Sequence, residues 1–155
     1  IGIPVPIIMM VIMGIIASVI LNFTTIGRSM YAVGGNMEAS RLSGISVHKT
    51  QIMVFVLSGI FAAVAGLVIA GHSAQPQAAD GYEMDAIASV VIGGASLSGG
   101  KGKVSGTFIG AILLAVIRNG LNILNVSSFW QKVVIGLVIA FAVSFDTLRR
   151  KVDAH

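Results

Sequence analysis

The chain has 155 residues, of which 55% are hydrophobic and only 10% charged, and its mean hydropathy is +0.95. Soluble domains carry about 25% charged residues, so this composition excludes an ordinary soluble core and points to a membrane protein. The net charge of +4 does not signal nucleic-acid binding, because no basic-aromatic run accompanies it; in a membrane chain, excess Lys and Arg marks cytoplasmic loops.

The first apolar run covers residues 3–23, long enough for a hydrocarbon core of about 30 Å. Pro4 and Pro6 stand at its start, where proline is tolerated. It lacks a basic leader region and residue 1 is not Met, so it reads as a true span within what is expected to be a piece of a longer protein. The polar segment 28–49 follows. Asn36 is a good N-cap, Glu38 falls where a carboxylate suits the positive end of a helix dipole, and Gly44 fits the left-handed position that stops a helix. Ser46 is placed to cap the next helix. A loop of this length needs only to turn. A capped helix on the membrane surface is a candidate docking element, with a simple amphipathic connector as the alternative.

A second span is predicted at residues 50–71. The linker after it has no Lys or Arg and carries Asp80, Glu83 and Asp85. Residues 86–97 are apolar but only about half as long as a full crossing requires. Asp85 suits the N-cap of that segment, while Glu83 is freer to meet a partner. The stretch Gly93 to Gly102 is rich in glycine. It fails as a phosphate loop, since Ala95 stands five before Gly100 and Gly102 follows Lys101. It fails as a dinucleotide fingerprint because Ser105 replaces the third glycine. Half-length helix, glycine loop and a new helix at 104–124 together suggest a discontinuous membrane segment, tolerated where it is buried or lines an aqueous cavity. A tight turn is the alternative. The last span is predicted at 129–146.

Eight of the ten Lys and Arg residues lie in 28–49, at Lys101 and Lys103, or at Arg149, Arg150 and Lys151. The positive-inside rule places these regions in the cytoplasm and the acidic linker outside, with the N-terminus of this piece outside and its C-terminus inside. Small residues recur every fourth position in three rows: Ser58, Ala62, Gly66 and Ala70; Gly102, Gly106 and Gly110; Gly136, Ala140 and Ser144. Such rows let helices approach closely in lipid, so the fold class expected is all-α, a polytopic bundle with one short helix and one surface helix. Lys132 either faces the bundle or snorkels to the outer interface. Arg118 either reaches the outer surface beside Asn119 and Asn122 or lines a polar cavity. Cysteine is absent, the three histidines are scattered, and no catalytic set or cofactor site is expected.

The segment 28–49 resembles the cytoplasmic coupling loop of ATP-binding-cassette importer permeases. Glu38-Ala39-Ser40 followed by Gly44 is similar to that family's signature, with Ser40 in place of its second alanine. Gly34-Gly35-Asn36, Arg41 to Ile45, Ala74-Gln75-Pro76, Gly81 to Ala88, Gly93 to Gly102, Asn119 to Asn122 and Val126-Ser127-Ser128 all resemble the ribose-type monosaccharide permeases. The likeness runs from Gly27 to Asp146 and matches the C-terminal half of such subunits.

The resemblance implies a non-enzymatic transport subunit in a bacterial inner membrane, a single permease domain over 1–155. It implies a second permease subunit, homologous or identical, two ATPase subunits beneath them, and a periplasmic sugar-binding protein outside. Asn36, Glu38, Ala39, Ser40, Arg41 and Gly44 would couple to the ATPase. Gly93, Gly94, Ser96, Gly99 and Gly100 would form the broken helix near the pathway, and Gln75, Asp80, Glu83 and Asp85 would face the outer partner. A secondary transporter or channel with a broken helix is the alternative, though such a transporter would favour carboxylates deep within its spans.

Overall fold

The computed structural model describes residues 4–72 and 81–153. All regular structure among them is helical. The chain divides into two compact units, residues 1–80 and 81–155.

In the first unit, α1 (Val5–Phe23) begins at Pro4, with Pro6 in its first turn where a missing N–H costs nothing. It ends at Thr24, whose extended backbone breaks the helix. Thr24 also starts α2 (Thr25–Gly35): its Oγ1 accepts from the Gly27 N–H at 3.2 Å and donates to the Ile20 carbonyl at 2.6 Å. Gly27 must be glycine, because a Cβ there would run into the Ile20 and Leu21 carbonyl oxygens. The helix α2 occupies much of the segment read from sequence as loop. The short α3 (Met37–Leu42) and long α4 (Val47–His72) complete the unit, with α2 packed on α1, α3 and α4.

The second unit is a three-helix assembly of α5 (Tyr82–Ile92), α6 (Val104–Ile123) and α7 (Ser128–Asp153). The 11 residues of α5 rise about 16 Å, so it is indeed too short to cross. Its limits differ from the expected 86–97. Glu83 and Asp85 favour the first turn of a helix, and α5 starts at Tyr82 rather than after an Asp85 cap; its N-cap Gly81 holds φ +87 and supplies no side-chain cap. At the other end, α7 continues past 146 through Asp153.

Helices α5 and α6 run antiparallel with backbones in contact. A Cβ at Gly106 would strike the Gly93 carbonyl oxygen, and one at Gly110 the Ser89 carbonyl oxygen. The glycine row on α6 is thus a packing seam, as small-residue rows in lipid should be. Above it, Ala88, Leu114 and Ile135 form a small core joined by Ile92 and Ile139, which ties α7 to the hairpin. The rows on α4 and α7 behave differently: a methyl group added at Gly66 or Gly136 would have no neighbour within 4 Å.

Four helices, Val5–Phe23, Val47–His72, Val104–Ile123 and Ser128–Phe145, are long and apolar enough to cross a bilayer. Hardly any of their residues are buried within the chain, and side chains such as Phe55, Leu67 and Phe141 stand exposed. Their faces suit lipid or further helices.

Gly106→Ala should separate α5 from α6 and lower the stability of the second unit by about 1–3 kcal/mol, the usual range for overpacking. Gly120→Ala on the same helix, where nothing lies within 4 Å, should be close to neutral. Thermal unfolding of the detergent-solubilised protein compares the two.

Candidate functional site

The best-defined local feature of the first unit is α3. Asn36 forms the joint before it. Its N–H donates to the Ala32 carbonyl at 3.0 Å and closes α2, while its side-chain Oδ1 accepts from the Ala39 N–H at 2.9 Å and opens α3. One extended residue thus caps two helices. At the far end, Gly44 takes φ +83. Its N–H donates to Arg41 O at 3.1 Å and that of Ile45 to Ser40 O at 3.0 Å. This pair of bonds is the Schellman closure, which needs a left-handed residue where glycine pays no Cβ penalty. Ser46 then leads into α4, its carbonyl accepting from the Thr50 N–H and hydroxyl, both at 3.0 Å.

Ser40 explains its own place in the signature. It is the one buried residue of α3, at 5% exposure. The position demands a small side chain, and its hydroxyl donates to Asn36 O at 2.8 Å, so the added polar atom is satisfied. Met37, Glu38, Ala39, Arg41 and Leu42 all point outward, Leu42 at 84% exposure. Glu38 and Arg41 sit three apart on the helix, yet neither has an ion-pair partner among the described residues. A six-residue helix with both ends tied, two exposed opposite charges and two bare apolar side chains is suited to meet a protein surface.

The glycine stretch is a reversal. Gly94 (φ +84) closes α5 by a second Schellman pair, with Gly94 N–H to Val91 O at 3.0 Å and Ala95 N–H to Val90 O at 3.1 Å. Ser96 N–H then donates to Lys101 O and Gly99 N–H to Ser96 O, both at 3.0 Å. Gly99 and Gly100 take φ +87 and +75. Gly93, by contrast, is required for its contact with Gly106. The five residues Gly93, Gly94, Ser96, Gly99 and Gly100 therefore build the turn that lays α6 back on α5.

Of the four residues expected to face an outer partner, Gln75 and Asp80 lie outside the described residues. Glu83 is exposed in the first turn of α5. Asp85 is engaged: Arg118 Nη2 reaches its two carboxylate oxygens at 2.8 and 2.7 Å. Sequence reasoning singles out both residues but does not pair them. Lys132 is exposed in the first turns of α7. Among the described residues no group of three His, Asp or Glu side chains could hold a metal ion.

Residues 2–143 match the family model described as branched-chain amino acid transport system / permease component. The chain is 50% identical over 147 residues to the ribose import permease protein RbsC of Bacillus subtilis, covering 94% of this chain and 46% of that one. It is 45% identical over 152 residues to the L-arabinose transport system permease protein AraH of Escherichia coli, covering 97% and 46%. It is 42% identical over 152 residues to the xylose transport system permease protein XylH of Haemophilus influenzae, covering 97% and 40%. The chain thus spans less than half the length of these relatives. No solved structure matches it. With its apolar helices, capped surface helix and a match across nearly its whole length, the chain belongs to the branched-chain amino acid transport system / permease component family.

Proposed function

We propose that the chain is part of the membrane-spanning subunit of an ATP-binding-cassette importer that carries a ribose-like monosaccharide across the bacterial cytoplasmic membrane. ATP is hydrolysed by a separate subunit. The relatives are named for ribose, L-arabinose and xylose, all pentoses, which supports that class of cargo.

The observation that carries the mechanism is α3, closed at both ends and joined without slack to α2 at Asn36 and to α4 through Gly44 and Ile45. In this reading, segment 28–49 and the C-terminus are cytoplasmic, in keeping with their Lys and Arg content. The ATPase subunit holds α3 in a surface groove through Glu38, Ala39 and Arg41. Closure of the ATPase dimer on ATP pushes α3, and the long span α4 tilts with it. A frayed connector would absorb that displacement; caps on both ends make the displacement reach the membrane. Outside, Gln75, Asp80 and Glu83 meet the sugar-binding protein. Asp85 acts there through its grip on Arg118. The turn from Gly93 to Gly100 fixes the α5–α6 hairpin beside the pathway. Residues 1–155 work within one permease domain, paired with a second permease subunit.

Single cysteines at Ala39 or Arg41 of the intact permease should crosslink to the co-expressed ATPase subunit, and one at Glu83 should not. Crosslinking from Glu83 but not from Ala39 overturns the reading. Gly44→Ala tests the stiffness argument. No atom lies within 4 Å of the added methyl, so its effect is conformational, about 1–2 kcal/mol for a left-handed residue. Sugar uptake by membrane vesicles should fall several-fold while the amount of assembled complex is unchanged. Asn36→Ala, which removes the N-cap at a cost of about 1 kcal/mol, should act in the same direction.

A further inference from the structure

Beyond the coupling helix, the second unit carries a polar group that the family assignment leaves without a role. Arg118 lies on α6 about a turn and a half before its end at Ile123. Its Nη2 alone serves both oxygens of Asp85. A guanidinium offers five N–H donors, and Nε and Nη1 have no protein partner among the described residues. The pair is held yet reachable, with side-chain exposures of 37% for Arg118 and 18% for Asp85. One turn further along the same face of α6 stands Asn122. Its Oδ1 accepts from Gln131 Nε2 at 2.7 Å, and Gln131 gives its other amide hydrogen to the Val126 carbonyl at 2.9 Å. Gln131 is left with a spare Oε1 acceptor, and Asn122 with a spare Nδ2 donor.

We propose that Arg118, Asp85, Asn122 and Gln131 form a contact site for the hydroxyl groups of a sugar at the end of the second unit that faces outside. The inference rests on the sugar-importer reading and assigns it a place in this chain. Each of the four side chains is oriented by a hydrogen bond within the protein and keeps further capacity for a ligand. The free capacity is mixed, with donors on Arg118 and Asn122 and acceptors on Gln131 and Asp85. A hydroxyl both donates and accepts, so a polyhydroxylated ligand satisfies such a set. An anion meets Asp85 and a cation meets Arg118, each at the cost of a like charge nearby. Lipid tails satisfy none of it, and a charged arginine in a spanning helix faces the bundle interior or a water-filled cavity. A carrier also has to release its cargo, which suits partly exposed hydrogen-bonding groups better than an enclosed pocket.

The test uses the intact permease, in a cysteine-free background, assembled with its ATPase subunit and binding protein in membrane vesicles. Asn122→Cys leaves the Arg118–Asp85 pair in place. A membrane-impermeant, charged thiosulfonate should modify it, and D-ribose should slow that modification at least threefold. Arg118→Lys keeps the charge but loses the fork, and Gln131→Leu removes the spare acceptor. Each should lower ribose uptake at least fivefold while the complex still co-purifies with its ATPase subunit. A cysteine that stays unmodified, or one modified at the same rate with and without ribose, overturns the site. So does wild-type uptake by both Arg118→Lys and Gln131→Leu. Failure of the wild-type assembly to import ribose, xylose or L-arabinose would instead overturn the sugar-importer reading, and is read separately.

Discussion

A helix that ends in or against a membrane has to satisfy its own last carbonyls, because hydrocarbon supplies no hydrogen bonds. This constraint shapes the chain at three places. α3, α5 and α6 all finish in the same pair of backward bonds, around Gly44, Gly94 and Asn125. Each uses a left-handed residue at φ +83, +84 and +54, and only glycine or a residue like asparagine adopts that conformation readily. Helix starts are closed as locally, by Thr24 for α2 and Asn36 for α3. The outcome is a set of short joints between α1 and α2, α2 and α3, α3 and α4, and α6 and α7.

The α5–α6 hairpin shows how those closed ends combine with packing. Gly94 turns the chain, and the glycines at 93, 106 and 110 let the returning helix lie directly on α5. Because the helices are antiparallel, the row Asp85, Ser89, Gly93 faces the row Gly106, Gly110, Leu114, Arg118. The seam closes one end of this interface and the ion pair the other. At the end away from the turn, Arg118 and Asp85 meet at 2.7 Å. The charged pair and the glycine row thus lie along the same α5–α6 interface.

What is legible in the sequence is local. Asn36 and Gly44 bracket six helical residues, and the bonds of each cap span three to five positions, so the two caps of α3 can be read without knowing the fold. The four long apolar runs are legible for the same reason, since length and hydropathy are counted along the chain. α2 is hidden because Gly27, Gly34 and Gly35 resemble loop residues; Thr24 is the signal for its start. The beginning of α5 is hidden because Glu83 and Asp85 look like linker acids, although two carboxylates close together also mark a first helical turn. The Arg118–Asp85 pair spans 33 residues, and finding it requires the register of the hairpin. That register follows from the glycines only once α5 and α6 are known to be antiparallel.

The small-residue rows carry the final step. Gly106 and Gly110 on α6 are covered by α5, whereas a methyl group added at Gly66 on α4 or Gly136 on α7 meets nothing within 4 Å and the other members of those two rows are exposed. The filled row is all glycine, whereas the other two mix one glycine with alanine and serine. The chain covers less than half of its curated relatives, and few residues of its long apolar helices are buried. A row of glycine and alanine does little for lipid contact but allows another helix to approach closely. The exposed rows on α4 and α7 are thus suited to close packing by another helix. On α4 that packing would act on the same span to which α3 is joined through Gly44 and Ile45, so under the coupling role proposed for α3 its displacement would pass into a helix–helix contact.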